Sequence, residues 1–281
     1  MKIEYDKAKK MQVVDFTSLS EAVSVAKEHL KPGHASTRHM DDNTWDFGVG
    51  FNGAVELSRS GWAEGVTDIL AAARKIETVL GESIGQGFTH DVCGFSIDMG
   101  EYMTGNPECW FETSPMGGRR VIRLTVSCSY SSFVEAQQIR NRGGAIVALI
   151  DLLQRDPNNV IELIAVSATD CVTRAYDDWS NQQINVPLGT SPIDINSAAY
   201  VLAHPSFLRR ICFALKEYLT DWKVVSGYGH PRRPEDPLAS MIMPQVDPSV
   251  AKEFSTPESA AAWVERTYNE IVNQAAPDRA A

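Results

Sequence analysis

No two of the five cysteines (Cys93, Cys109, Cys128, Cys171, Cys212) stand at Cys-x-x-Cys spacing. That argues against a zinc ribbon, a redox pair of that type and a disulfide framework. His34, His39 and His90 form neither His-x-x-x-His nor His-Glu-x-x-His, so zinc hydrolysis has no motif to rest on. There is no Gly-x-x-x-x-Gly-Lys-Ser/Thr to cradle a nucleotide phosphate. No apolar run reaches the ~20 residues that a membrane span requires, and Met1 to Lys10 is polar, without a charged-then-apolar leader. A cytoplasmic protein with reduced thiols is the expectation.

Positive charge is also short. The 281 residues hold 26 Lys and Arg against 36 Asp and Glu, a net charge of −10. The excess of acid lies in residues 1–116, with 10 basic against 18 acidic; from Gly117 to Ser240 the counts are 13 and 12. An acidic chain does not bind duplex DNA non-specifically, because that affinity comes from neutralising phosphates. A local arginine groove for a single strand stays open.

What is present is a core unit. Val121 to Ser127 is a continuous apolar strand pattern, a hydroxyl cluster follows, Phe133 to Arg155 has helical periodicity, and Val160 to Ala168 is a second buried strand. Strand, polar loop, helix, strand is the βαβ unit of a parallel sheet. Gly143-Gly144 inside the helix costs ~1 kcal/mol per residue against alanine, so either the backbone packs tightly on the sheet or the helix starts near Gly144. The fold class expected is α/β: a three-layer, mainly parallel sheet flanked by helices, with an N-terminal helical elaboration. Residues 1–116 are read as a helical and irregular layer packed on a core at 117–281, one structural unit overall.

Around that unit, Met11 to Phe16 reads as an arm or edge strand. Ser18-Leu19-Ser20-Glu21 is a capping box opening a helix to about Leu30. His34 to Asn52 is read as a long loop anchored by Trp45, Phe47 and Phe51. Gly48-Val49-Gly50-Phe51-Asn52-Gly53 fits Gly-x-Gly-x-x-Gly, but no strong strand precedes it and no helix is expected to open from it. Ala63 to Leu80 has helical spacing, and 85–115 reads as irregular, with Trp110 and Phe111 as buried caps over the sheet. Residues 169–190 are a polar excursion with the pattern of a hairpin. Asp194 caps a helix over Ile195 to Ala203, which His204-Pro205 interrupts. Phe207 to Leu219 resumes it, Trp222 to Ser226 is a short strand, 227–237 is a Gly/Pro/Arg loop, and a last helix begins near Ser255.

Two resemblances follow. Gly61-Trp62-Ala63-Glu64-Gly65, Asp91-Val92-Cys93-Gly94, Gly105-Asn106-Pro107-Glu108-Cys109, Arg142-Gly143-Gly144-Ala145 and the run from Ala203 to Arg210 resemble a family of tailed phages and mobile elements that bears only a domain-of-unknown-function label. That likeness spans most of the chain and implies phage origin, hence the host cytoplasm, but no activity. The order of elements is also similar to a von Willebrand factor A-like domain, or a Rossmann-like one. In the former a strand-end Asp-x-Ser-x-Ser, a later Thr and a later Asp hold a divalent cation. Ser127, Ser129 and Ser131 fall at the serine positions and Thr190 at the threonine. Thr125 or Ser127 replaces the leading aspartate, and Val224-Val225-Ser226-Gly227 offers no other. Hydroxyls alone leave a hard cation uncompensated, so no cofactor is expected, with a divalent cation the open alternative.

The serines lie where an open α/β sheet places its ligand loops, with helix capping the simpler role for Ser131 or Ser132. Cys128 beside them is a buried strand cysteine or a thiol nucleophile. His230, Arg232 and Arg233 form the best exposed cationic feature. The function expected is a phage-encoded, non-enzymatic binding or assembly factor acting through Ser127, Ser129, Ser131, Thr190, His230, Arg232 and Arg233 on a protein or single-stranded nucleic acid, with no membrane role and a homo-oligomer open. The alternatives are a metal-dependent hydrolase or nuclease using Asp170, Asp178 and Asp194, and a virion structural protein.

Overall fold

The computed structural model describes residues 1–38, 47–80, 89–91, 96–97, 102–112, 120–131, 134–156, 158–170, 181–190, 193–219, 230–243 and 245–274. In chain order, β1 (Lys2–Asp6) and β2 (Met11–Asp15) precede α1 (Leu19–Glu28), α2 (Gly50–Ser60) and α3 (Ala63–Leu80). Next come β3 (Thr89–Asp91), β4 (Ser96–Ile97), β5 (Trp110–Glu112), β6 (Arg120–Ser127), α4 (Ala136–Gln154), β7 (Asn159–Asp170) and β8 (Asn181–Thr190). Then follow α5 (Ile195–Ala203), a π-helix (Phe207–Cys212), α6 (Phe213–Leu219), β9 (His230–Pro231), β10 (Met241–Met243) and α7 (Pro257–Gln274). Among the described residues no helix is long and apolar enough to cross a membrane.

The fold is α/β with a mixed seven-stranded sheet in the order β1-β2-β8-β7-β6-β10, β9 pairing with β7. The β10–β6, β6–β7 and β2–β8 pairs are parallel, whereas β1–β2, β7–β8 and β7–β9 are antiparallel. The mainly parallel sheet is thus corrected to a mixed one. One reason is that β8 (Asn181–Thr190), expected as the second arm of a hairpin, runs antiparallel beside β7. β1 and β2 also belong to this sheet, so the N-terminal segment is not only a helical layer, and β2 is an inner strand. β3, β4 and β5 form a separate small sheet, in which Trp110 is half-buried. The expected strand Trp222–Ser226 lies outside the described residues.

Strand periodicity gives the sheet two unlike faces. Val14, Ile122, Leu124, Val126, Ile161, Leu163, Ala165, Ile184 and Val186 join one large core to which every described helix contributes. Ile164, Val166 and Ala168 point the other way and form a separate cluster. Over that second face runs the 231–240 segment: Pro234 is buried, Asp236 Oδ2 accepts from Thr125 Oγ1 at 2.6 Å and Arg123 Nε at 2.9 Å, and Glu235 exchanges backbone bonds with the Gln183 amide. Among the described residues the helices therefore cover one face, and an extended strap covers the other.

Several helix signals resolve cleanly. Ser18 Oγ accepts from Glu21 N at 3.1 Å, but the Glu21 carboxylate reaches back to Thr17 N and Oγ1 (2.7 and 2.8 Å) and to the Met1 ammonium rather than to Ser18. The ammonium first, then the Thr17 bonds, hold the Glu21 carboxyl down to about 2. α2 opens at Gly50, inside the stretch read as loop, so the Gly-x-Gly-x-x-Gly run does lead into a helix. The helix after His204-Pro205 begins as a π-helix before α6. α4 is unbroken through Gly143-Gly144. A Cβ on Gly143 would sit 2.9 Å from Ala203 Cβ and 3.6 Å from Ile69 Cδ1, so close approach of helices α5 and α3 explains this glycine.

Gly143→Ala gains ~1 kcal/mol of helix propensity but forces overpacking worth ~1–3 kcal/mol. Thermal unfolding should show a lower Tm, by about 2–4 °C; an unchanged or higher Tm contradicts the packing account. Because the folded Glu21 carboxyl lies below its ordinary 4.5, its stabilisation is complete above that value and is lost as pH falls toward 2. The stability gap between wild type and Glu21→Gln, measured by urea unfolding, should close over that window.

Candidate functional site

β6 ends in Ser127, and the chain continues through Cys128, Ser129, Tyr130 and Ser131 between β7 and the helical layer. Ser127 and Ser129 are 0% and 1% exposed. Ser127 Oγ accepts from Ser129 N at 3.2 Å, Ser129 Oγ lies 3.3 Å from Ser167 Oγ, and Cys128 donates from N and Sγ to Val166 O at 2.8 and 3.2 Å. Buried Arg142, on α4, donates from Nη1 to the Ser127 carbonyl at 3.0 Å. Ser131 is half-buried and donates its N–H to Val246 O at 2.9 Å. The π-helix completes the cluster: it carries buried Cys212, and the Arg209 guanidinium lies 5.6 Å from the Tyr130 ring centroid.

Burial governs the electrostatics of this cluster. It pushes the Cys212 thiol well up, with neighbouring Cys128 adding to the effect, and raises the Tyr130 phenol far above its usual range. Arg142 is drawn down to about 10 by the same desolvation. At neutral pH the Cys212 thiol and the phenol are uncharged. The hydroxyls bind one another and the backbone, and no macromolecule can reach Ser127 or Ser129.

Register parts the remaining residues. Thr190 pairs with Glu162, near the start of β7, whereas Asp170 pairs with Asn181 and His230 at its end. Asn181 and Thr190 are nine residues apart on one strand, about 30 Å. Asp194 follows Thr190 and caps α5, accepting from Asn196 N at 3.0 Å and Ser197 Oγ at 2.6 Å. Asp170 and Asp194 therefore lie toward opposite ends of β8, and Asp178 lies outside the described residues. Among the described residues no group of three or more His, Cys, Asp or Glu side chains is placed to hold a metal ion.

The Asp170 end gathers charge instead. The exposed β1–β2 turn, Lys7-Ala8-Lys9-Lys10, meets the start of β8: Asn181 N donates to Lys10 O at 3.0 Å and Asn181 Nδ2 to Lys9 O at 3.1 Å. β9 meets the end of β7 here, and Arg232 N donates to Ala168 O at 3.1 Å. Arg232 is held by Glu235 at 2.7 Å and Asp170 at 3.7 Å, and Lys9 pairs with Glu235 and, at 4.0 Å, with Asp6. Lys7, Lys10 and Arg233 are exposed and make no ion pair among the described residues. Six basic groups (Lys7, Lys9, Lys10, His230, Arg232, Arg233) thus share a corner with three carboxylates (Asp6, Asp170, Glu235).

The chain belongs to the family described as Domain of unknown function (DUF7192). The match covers residues 4–271, so both arms of the cationic corner fall inside the family's span. No curated protein and no solved structure matches the chain.

The lysines of this corner lie in a stretch that reads only as polar; nothing in one dimension joins them to residue 230. Arg142 entered only within the phrase Arg142-Gly143-Gly144-Ala145 and Cys212 only as one of five cysteines, since a helical arginine and a lone cysteine are ordinary. For Cys212, site-resolved iodoacetamide labelling at pH 8 should show protection until the protein is unfolded by urea. Labelling of the native protein at the rate of free cysteine contradicts the buried, neutral thiol.

Proposed function

We propose that this is a phage-encoded, non-enzymatic binding or assembly factor whose cationic corner receives the acidic face of a protein partner. The supporting observation is the convergence of Lys7, Lys10 and Arg233, exposed and unpaired among the described residues, on a chain of net charge −10. Local charge of the opposite sign steers and orients a partner more than it adds affinity. Single-stranded nucleic acid is the weaker fit, because such sites stack bases on aromatic rings. Among the described residues, Tyr5 is the exposed aromatic closest in sequence, and it pairs with Gln12 on the helical face rather than beside Arg232. A hydrolase through Asp170, Asp178 and Asp194 draws no support from the opposite placement of Asp170 and Asp194. No resident cofactor enters this mechanism, and the host cytoplasm is its setting. The Rossmann-like or von Willebrand factor A-like character is assigned to the parallel β6–α4–β7 unit, whose strand–helix–strand order supports it.

Fluorescence anisotropy with labelled poly-L-glutamate and with oligo(dT) tests the proposal. Poly-L-glutamate should bind, lose affinity as salt rises, ignore EDTA, and bind Lys7→Glu/Lys10→Glu/Arg233→Glu about tenfold more weakly. Preferred binding of oligo(dT) replaces the protein partner by a single strand; an unaffected triple variant, or loss on EDTA, removes the corner from the mechanism.

A further inference from the structure

β1 is the outer strand of the sheet, and among the described residues β2 is its only strand partner. Its register with β2 is regular from Lys2↔Asp15 to Asp6↔Met11, and it contains neither proline nor bulge. Proteins usually blunt such an edge, because a free row of N–H and C=O groups templates another strand. Among the described residues nothing pairs with this edge, and its apolar side chains meet solvent: Ile3 is 39% and Tyr5 59% exposed, with Met1 at 41%. Lys2 and Glu4, exposed and of opposite sign, stand on the other face of the same strand and pair with each other at 2.5 Å, a pair that can be exchanged for partners across the edge.

We infer that β1 pairs antiparallel with β1 of a second copy of this chain, about a two-fold axis through Ile3. The charge pattern selects the register. With the axis at Ile3, Lys2 stands opposite the partner's Glu4 twice, Ile3 meets the partner's Ile3, and Met1 meets the partner's Tyr5. Opposite charges and apolar pairs across a strand interface are each stabilising. An axis at Glu4 would set Lys2 against the partner's Asp6 and Ile3 against its Tyr5, but would oppose two carboxylates on the axis itself; an axis at Lys2 would oppose two ammonium groups. An axis between residues would set Ile3 against the partner's Glu4 and turn the apolar side chains toward charged ones. Only the Ile3 register satisfies both faces.

The edge is short, so it buries less than a standard interface and the dimer dissociates on dilution. This pairing does not rest on the cationic corner. It does place two such corners on one face of a continuous sheet, with the two Lys7 positions about 27 Å apart, a spacing suited to a repetitive acidic partner.

Sedimentation velocity over a concentration series reads the result directly. Wild type should show a dimer that grows with concentration. Lys2→Glu, which opposes carboxylates across the axis, and Ile3→Lys, which opposes two ammonium groups on it, should sediment as monomers with unchanged circular dichroism. Lys2→Glu/Glu4→Lys should restore the dimer. A wild type that stays monomeric throughout, a single variant that still dimerises, or a double variant that fails to recover overturns the pairing.

Discussion

Backbone hydrogen bonds between β7 and β8 run from Glu162↔Thr190 to Asp170↔Asn181, and the positions of the charged groups follow from them. A strand that returns directly beside its predecessor must run antiparallel. Its two ends therefore report to opposite rims of the sheet. The Thr190 end carries Asp194 and the start of α5; the Asn181 end receives the lysine turn and β9. A crossover connection in place of the return would have put Thr190 and the serines on one rim, as a von Willebrand factor A-like site requires.

The rim beyond β6 shows what the helical layer does to polar residues. Serines at a strand's carboxyl end are placed for ligands in an open sheet, but here the π-helix closes over them. Buried polar groups are usually paired, and most of these are paired internally: serine to serine, thiol to carbonyl, arginine to the Ser127 carbonyl; among the described residues the Tyr130 hydroxyl has no such partner. The result stiffens the junction between sheet and helices. The widened π-helical turns, a feature often found at functional sites, bring Cys212 to Cys128 here. Farther along the same layer, Glu217 accepts from Ser36 N at 3.0 Å, and Arg210 donates to the carbonyls of Ala35, Ser36 and Arg38 at 3.1, 3.0 and 2.9 Å, strapping the 34–38 segment onto the helices.

The second face of the sheet follows the opposite logic. Its apolar patch, Ile164, Val166 and Ala168, is too small to seat a helix and is served by an extended strap ending in β10. The strap's Asp236 accepts from Arg123 and Thr125 below it, while Arg233 remains exposed at its start. Accessibility, rather than chemistry, separates this cationic residue from the serines: both kinds of side chain can bind an anion, but only the corner meets solvent.

The amino-acid sequence by itself determined the local elements whose periodicity is strong: α3 at Ala63–Leu80, α5 at Ile195–Ala203 behind its Asp194 cap, and β6, α4 and β7 as strand, helix and strand. Each is set by side-chain spacing over a few turns, which a linear pattern preserves. Weak segments were illegible for the same reason. β9 and β10 are two and three residues long, too short for any period, and exist only because β7 and β6 offer them hydrogen bonds. Gly143 likewise made sense only beside Ala203. Tertiary structure alone decided which polar residues face water, because burial and strand direction depend on contacts between residues far apart in the chain.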